Sequence, residues 1–121
     1  MFFTKAQTRC RCTKCDGGEM APQFMRKMER LRFEHYKKPL IVSSGFRCKE
    51  YDTSIGGKGN HSLGVAMDLV SPGNVKIEGA DLQDLLAGLD AVNIKRVIMY
   101  KDSKHIHIDD HPTKKRGTWI K

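Results

Sequence analysis

Near its C-terminal end the chain reads His105-Ile106-His107-Ile108-Asp109, a strict alternation of polar and apolar side chains. Successive side chains of a β-strand point to opposite faces, so Ile106 and Ile108 share one face and His105, His107 and Asp109 the other. The isoleucines can then meet a core while the polar face meets a cleft. This end of the chain is thereby committed to a one-sided sheet, and the remaining elements must supply that sheet with partners and a cover.

Those elements can be traced backwards. Arg96-Val97-Ile98-Met99-Tyr100 reads as a preceding strand, and Lys101-Asp102-Ser103-Lys104 as the turn of a hairpin. A helix near Ala80 to Val92 carries Leu82, Leu85, Leu86 and Leu89 on one face. Val65 to Val70 alternates well enough for a strand, which Ser71-Pro72-Gly73-Asn74 breaks. Leu40-Ile41-Val42 reads as a short buried strand after Pro39. Pro39 ends a helix that starts at Pro22 and runs to about Lys38, with Phe24, Met28, Leu31 and His35 at helical spacing. The expected fold is α+β: a small, mostly antiparallel sheet with two main helices packed on it. A length of 121 residues suits one domain, 1–121, with a Cys-rich N-terminal segment (1–18) and a basic tail (112–121).

The net charge is +8, from 22 Lys and Arg against 14 Asp and Glu, which draws the protein toward polyanions. The basic residues are spread from Lys5 to Lys121, with no helix-turn-helix pattern and no aromatic-plus-glycine RNA-binding signature, so no specific nucleic-acid partner is expected. No apolar run approaches the length of a transmembrane segment. Met1-Phe2-Phe3-Thr4-Lys5-Ala6 does not read as a signal peptide. A cytoplasmic product is expected, a monomer, with any role outside the cell depending on lysis or on packaging in a virus particle.

Cys10, Cys12 and Cys15 form a tight C-x-C-x-x-C cluster, and Cys48 stands alone. Thiolates at this spacing can converge on a structural zinc with Cys48 as fourth ligand. Free structural thiols and a pair of disulfides are the alternatives.

The His105–Asp109 strand acquires chemical meaning beside a second cluster, His61-Ser62-Leu63-Gly64-Val65-Ala66-Met67-Asp68. On a strand from about Val65, Asp68 shares a face with Ala66, opposite Met67 and Leu69, where an unpaired carboxylate is costly to bury. A cation, a buried arginine or several backbone N–H groups would each relieve that cost. Gly64 allows a sharp turn that swings His61 back beside Asp68. One His, one Asp and one His of the hairpin make three ligands with a fourth position open, the arrangement of a catalytic zinc.

Ser44-Gly45-Phe46-Arg47, His61-x-x-Gly64-x-Ala66-x-Asp68 and His105-x-His107-x-Asp109, in that order, resemble the zinc D-Ala-D-Ala carboxypeptidase and L-alanyl-D-glutamate endopeptidase family. That family belongs with lysostaphin-type enzymes and the hedgehog signalling domain. The resemblance spans roughly Cys10 to Asp110. It implies His61, Asp68 and His107 as ligands of one catalytic zinc, Arg47 as the guanidinium that binds a substrate carboxylate or carbonyl, and Ser44 as the accompanying serine at the substrate site. The general base is His105 or, in a register that makes His105 the ligand, Asp102; the family's usual carboxylate position is occupied here by Lys104. Asp109 is an expected partner orienting an imidazole. The implied function is zinc-dependent hydrolysis of an amide bond in the peptidoglycan stem peptide, of L-alanyl-D-glutamate endopeptidase or D-Ala-D-Ala carboxypeptidase type. The alternative is a non-catalytic zinc-containing binding or assembly module of the same fold in a virion or envelope.

Overall fold

A computed structural model describes the chain from Met1 to Lys121. The helices are α1 (Lys5–Thr8), α2 (Pro22–Arg30), α3 (Lys49–Ser54) and α4 (Gly79–Ala91), and the strands are β1 (Ile41–Ser44), β2 (Ala66–Val70), β3 (Arg96–Met99), β4 (Ile106–Asp109) and β5 (Gly117–Ile120). One five-stranded sheet results, in the order β1-β2-β4-β3-β5, with every pairing antiparallel except β3 with β5. The expected α+β class, the mostly antiparallel sheet and the two main helices over it are all present.

The alternation of β4 divides the sheet as its sequence requires. Ile106 and Ile108 join Met67 and Leu69 of β2, Val42 of β1 and Val97 of β3 in the buried core. Phe24 and Met28 of α2 and Leu85 and Leu89 of α4 close that core from the other side. Each such side chain taken fully from water contributes about 1.5–3 kcal/mol, and this apolar layer is what anchors the sheet. The opposite face carries Asp68, His107, Asp109, Arg96 and Ile98. No helix is long and apolar enough to cross a membrane.

Three local differences from expectation have physical causes. Helix α2, expected to run to about Lys38, is α-helical only to Arg30; Leu31–His35 widens into a π-turn, where Tyr36 N–H reaches back to the Leu31 carbonyl at 2.7 Å. That extra residue lets Leu31 and Tyr36 both enter the core. Between Cys48 and Ile55, where the sequence pattern assigns no element, the chain forms the short helix α3. The segment expected to be a basic tail carries β5, which extends the sheet beside β3, with Trp119 beneath the Arg96 guanidinium at 5.0 Å from the ring centre.

Candidate metal centre

Pairing register builds the site. Asp68 of β2 lies directly across from His107 of β4, which lies across from Ile98 of β3. One pleat further on, Ala66, Asp109 and Arg96 form a second such row. Side chains in these rows are cross-strand neighbours by construction. His61 arrives from outside the sheet, on a single 3₁₀ turn (His61–Leu63) that ends at Gly64 with φ +74°. A side chain at Gly64 would be strained by that φ and would come within 2.9 Å of the Glu19 carbonyl oxygen. The sharp turn read from Gly64 is therefore what returns His61 to the sheet.

Three side chains converge there, all buried: His61, Asp68 and His107 each offer a ligand atom, and those atoms lie within 4.8 Å of one another. Asp68 Oδ1 is 3.0 Å from His107 Nδ1 and 3.5 Å from His61 Nε2. The second nitrogen of each imidazole is occupied. His61 Nδ1 lies 2.8 Å from the Gly45 carbonyl, which can only accept, so the proton sits on Nδ1 and leaves Nε2 facing Asp68. His107 Nε2 donates to Asp109 Oδ2 at 2.7 Å, leaving Nδ1 toward Asp68. Asp109 is fully buried; it accepts further from Arg96 Nε at 3.1 Å and from the His111 backbone N–H at 2.9 Å.

Electrostatics follow from these contacts. Burial pushes the Asp68 carboxyl upward, but hydrogen bonds and charge from His107 and His61 overrule it and hold Asp68 well below the ordinary carboxylate range. Burial pulls His107 down, while Asp109 and Asp68, one on each ring nitrogen, raise it above the ordinary imidazole value. Asp109 is likewise lowered, burial notwithstanding, by His107, the His111 N–H and Arg96. Two carboxylates around one imidazole are a cation site: a proton on Nδ1 satisfies it, and a divalent metal at that position would do so with His61 Nε2 added. The donor set, two imidazoles and one carboxylate, is the kind zinc takes in catalytic sites.

Arg47 stands just after β1 and uses its whole fork. Nη2 donates to Asp68 Oδ2 at 3.2 Å, Nη1 to Asp52 Oδ1 at 3.1 Å and Nε to Ser44 Oγ at 3.0 Å. His105 borders the same centre: Nδ1 pairs with Ser103 Oγ at 2.6 Å, and Nε2 is 4.0 Å from Asp68 Oδ2. Asp102 sits exposed in the β3–β4 turn, away from the residues that line the cleft. The cleft has a volume of about 510 Å³ and is walled by Arg47, His61, Asp68, His105 and His107 together with Lys58, Asn60, Arg96, Tyr100, Lys114 and Lys121. Arg96, Ile98 and Tyr100 had a signal in the sequence, since a period of two along β3 puts them on the face of His107. The buried Asp52 had none, because its partners, Arg47 and the Gly59 N–H, become neighbours only through tertiary folding. The four cysteine sulfurs form a separate group, also within 4.8 Å of one another.

A sheet with a buried apolar face and a candidate His-Asp-His metal centre on its polar face fits the class of metallopeptidases. The family profile described as Peptidase M15 matches residues 2–109, nine-tenths of the chain, and the chain belongs to that family, whose peptidases are zinc-dependent. No curated protein matches the chain significantly.

Proposed function

We propose that this protein is a zinc peptidase that hydrolyses an amide bond of the peptidoglycan stem peptide, as an L-alanyl-D-glutamate endopeptidase or a D-Ala-D-Ala carboxypeptidase. The observation that carries the reading is the tying of both imidazoles: each has its outer nitrogen fixed to an acceptor and its inner nitrogen turned to Asp68. Such outer partners set the tautomer and aim of metal-binding histidines.

His61, Asp68 and His107 would hold the zinc. Zinc supplies Lewis acidity, making water a nucleophile near neutral pH and polarising the amide carbonyl. His105, with Nε2 toward the centre, takes the proton from the attacking water and returns it to the leaving amine. Its presence in the cleft favours catalysis over a purely structural module, and favours His105 over the exposed Asp102 as base. Arg47 keeps two of its five N–H donors free of the three contacts above; these would bind a substrate carboxylate or the developing oxyanion. Ser44 steadies Arg47 from its Nε side. Stem peptides carry several carboxylates, and Lys58, Lys114 and Lys121 on the cleft wall give them a favourable field.

The test is incubation of purified, zinc-loaded protein with isolated peptidoglycan of several chemotypes, with and without a chelator, followed by mass spectrometry of released fragments. Chelator-sensitive cleavage at one stem-peptide bond is expected, and the fragment masses name the bond. Failure to release any fragment from all chemotypes overturns the proposal.

A further inference from the structure

The cysteine cluster lies apart from the His-Asp-His centre and has no part in the chemistry above. Cys12 Sγ is 3.2 Å from Cys15 Sγ and 3.7 Å from Cys48 Sγ. A tetrahedron of zinc–sulfur bonds of about 2.3 Å has edges of about 3.8 Å. One sulfur thus approaches two others at once, which suits a shared ion better than an exclusive pair. Three backbone N–H groups point at the sulfurs: Cys15 N at Cys12 Sγ (3.4 Å), Gly17 N at Cys15 Sγ (3.4 Å) and Cys48 N at Cys10 Sγ (3.3 Å). Amide donors of this kind stabilise anionic thiolates. The sequence interleaves cations with the ligands, Arg9 before the first, Arg11 and Lys14 among the first three and Lys49 after the fourth. A zinc tetrathiolate carries two net negative charges, which these cations offset.

We propose that Cys10, Cys12, Cys15 and Cys48 bind a second, structural zinc that staples the N-terminal segment to the loop carrying Gly45 and Arg47. Other contacts across this seam run the same way. Phe46 N–H donates to the Thr8 carbonyl at 2.7 Å, and the Phe46 ring packs so closely on Gly18 that a Cβ there would lie 2.1 Å from it. The staple holds the residues that in turn fix the catalytic centre: Gly45 accepts from His61, and Arg47 directly precedes Cys48. The inference is independent of the substrate proposed above, because its readouts need no turnover.

Metal content of the full chain, purified under reducing conditions with zinc, should be two ions per molecule by native mass spectrometry. One ion should remain in His107→Ala and one in Cys12→Ser. Cobalt substitution of the wild-type protein should give intense thiolate-to-cobalt charge-transfer absorption that persists in His107→Ala and disappears in Cys12→Ser. In the zinc-loaded protein all four thiols should resist a thiol reagent until the metal is stripped. A single zinc that leaves with His107→Ala, four freely reactive thiols in zinc-replete protein, or a native mass lowered by disulfide formation would each overturn the proposal. The cobalt spectrum and thiol count use the unmutated chain, so misfolding of a cysteine variant cannot mask the result.

Discussion

Asp109→Asn removes one charge from a group that touches no substrate, and the structure lets its effect on the metal be worked out. Asp109 accepts from His107 Nε2, Arg96 Nε and the His111 N–H, all while fully buried. Asparagine has one oxygen for these donors and turns its amide N–H₂ toward the others, so at least one contact becomes donor against donor. His107 then loses part of its orientation and basicity. Removing such an outer partner lowers zinc affinity by about 10- to 100-fold, which is about 1.4–2.7 kcal/mol. Arg96 loses its carboxylate but keeps the Lys115 carbonyl at 2.8 Å and the face of Trp119. Its stability penalty should therefore fall near the lower end for a broken buried pair, about 3 kcal/mol, and lower Tm by roughly 10 °C. Competition titration against a zinc-binding dye measures the affinity, scored for the site that His107→Ala abolishes. Asp110→Asn is the control: the Asp110 carboxylate accepts from Lys27 Nζ at 2.6 Å and from the Lys95 N–H at 2.9 Å, and neither partner is a histidine of the centre. It should lower Tm without changing zinc affinity. An Asp109→Asn affinity within threefold of wild type would refute the role assigned to Asp109.

Other consequences are as direct. His105→Ala should retain the zinc of the His-Asp-His centre yet lose turnover on stem peptide by about 10²- to 10⁴-fold, the usual span for a proton-transfer residue, whereas His61→Ala should lose that zinc and turnover together; a His105→Ala protein without zinc at that centre would reverse the assignments. The metal-free protein should lose stability as pH rises from about 6.5 through the raised His107 value, because a folded-state value above the unfolded one contributes only while the proton is bound. Asp68 and Asp109, both lowered, act oppositely, contributing above the ordinary carboxylate range and losing that contribution as pH falls through their lowered values. Zinc needs neutral His107, so the Tm gain on adding zinc should grow over the same rising-pH window, and a flat gain would contradict the His107 contacts. Gly18→Ala, with φ +70° and the Phe46 ring in the way, should lower stability by about 1–3 kcal/mol in thermal unfolding; wild-type stability would show that the seam between segment 1–18 and the Phe46 loop is loose.

Much of this architecture was written in local patterns. The alternation in His105–Asp109 specifies a strand, its core face and its polar face together, and Gly64 with Ala66 and Asp68 specifies a turn into a second strand. These cues need only neighbouring residues, so they can be read without a fold. Strand β5 escaped because Gly117-Thr118-Trp119-Ile120 is short, largely exposed, and paired in parallel with β3, for which no hairpin turn gives warning. Helix α1, with four residues, is too short for any periodicity to emerge. The ion pairs of Arg47 with Asp52 and of Arg96 with Asp109 join residues from different elements or turns, and charge alone does not say which partner a guanidinium will meet.

The centre is rigid on one side and conditional on the other. Asp68 and His107 face each other from paired strands in the middle of the sheet, so their 3.0 Å approach is maintained by the β2–β4 ladder and by the apolar layer beneath it. His61 has no such support. Its position depends on the αL turn at Gly64, on the hydrogen bond from its ring to the Gly45 carbonyl and on the Arg47 N–H, which donates to the His61 carbonyl at 3.3 Å. Gly45 in turn is seated on α1, where a Cβ would lie 2.5 Å from the Thr8 carbonyl oxygen, and the next residue is tied to that same carbonyl. A disturbance of the N-terminal segment therefore reaches the metal through His61 and through the Arg47 contact to Asp68 at 3.2 Å, lowering affinity while leaving the Asp68–His107 pair in register. This chain of contacts gives the N-terminal cysteines a consequence for catalysis although none of them approaches the cleft.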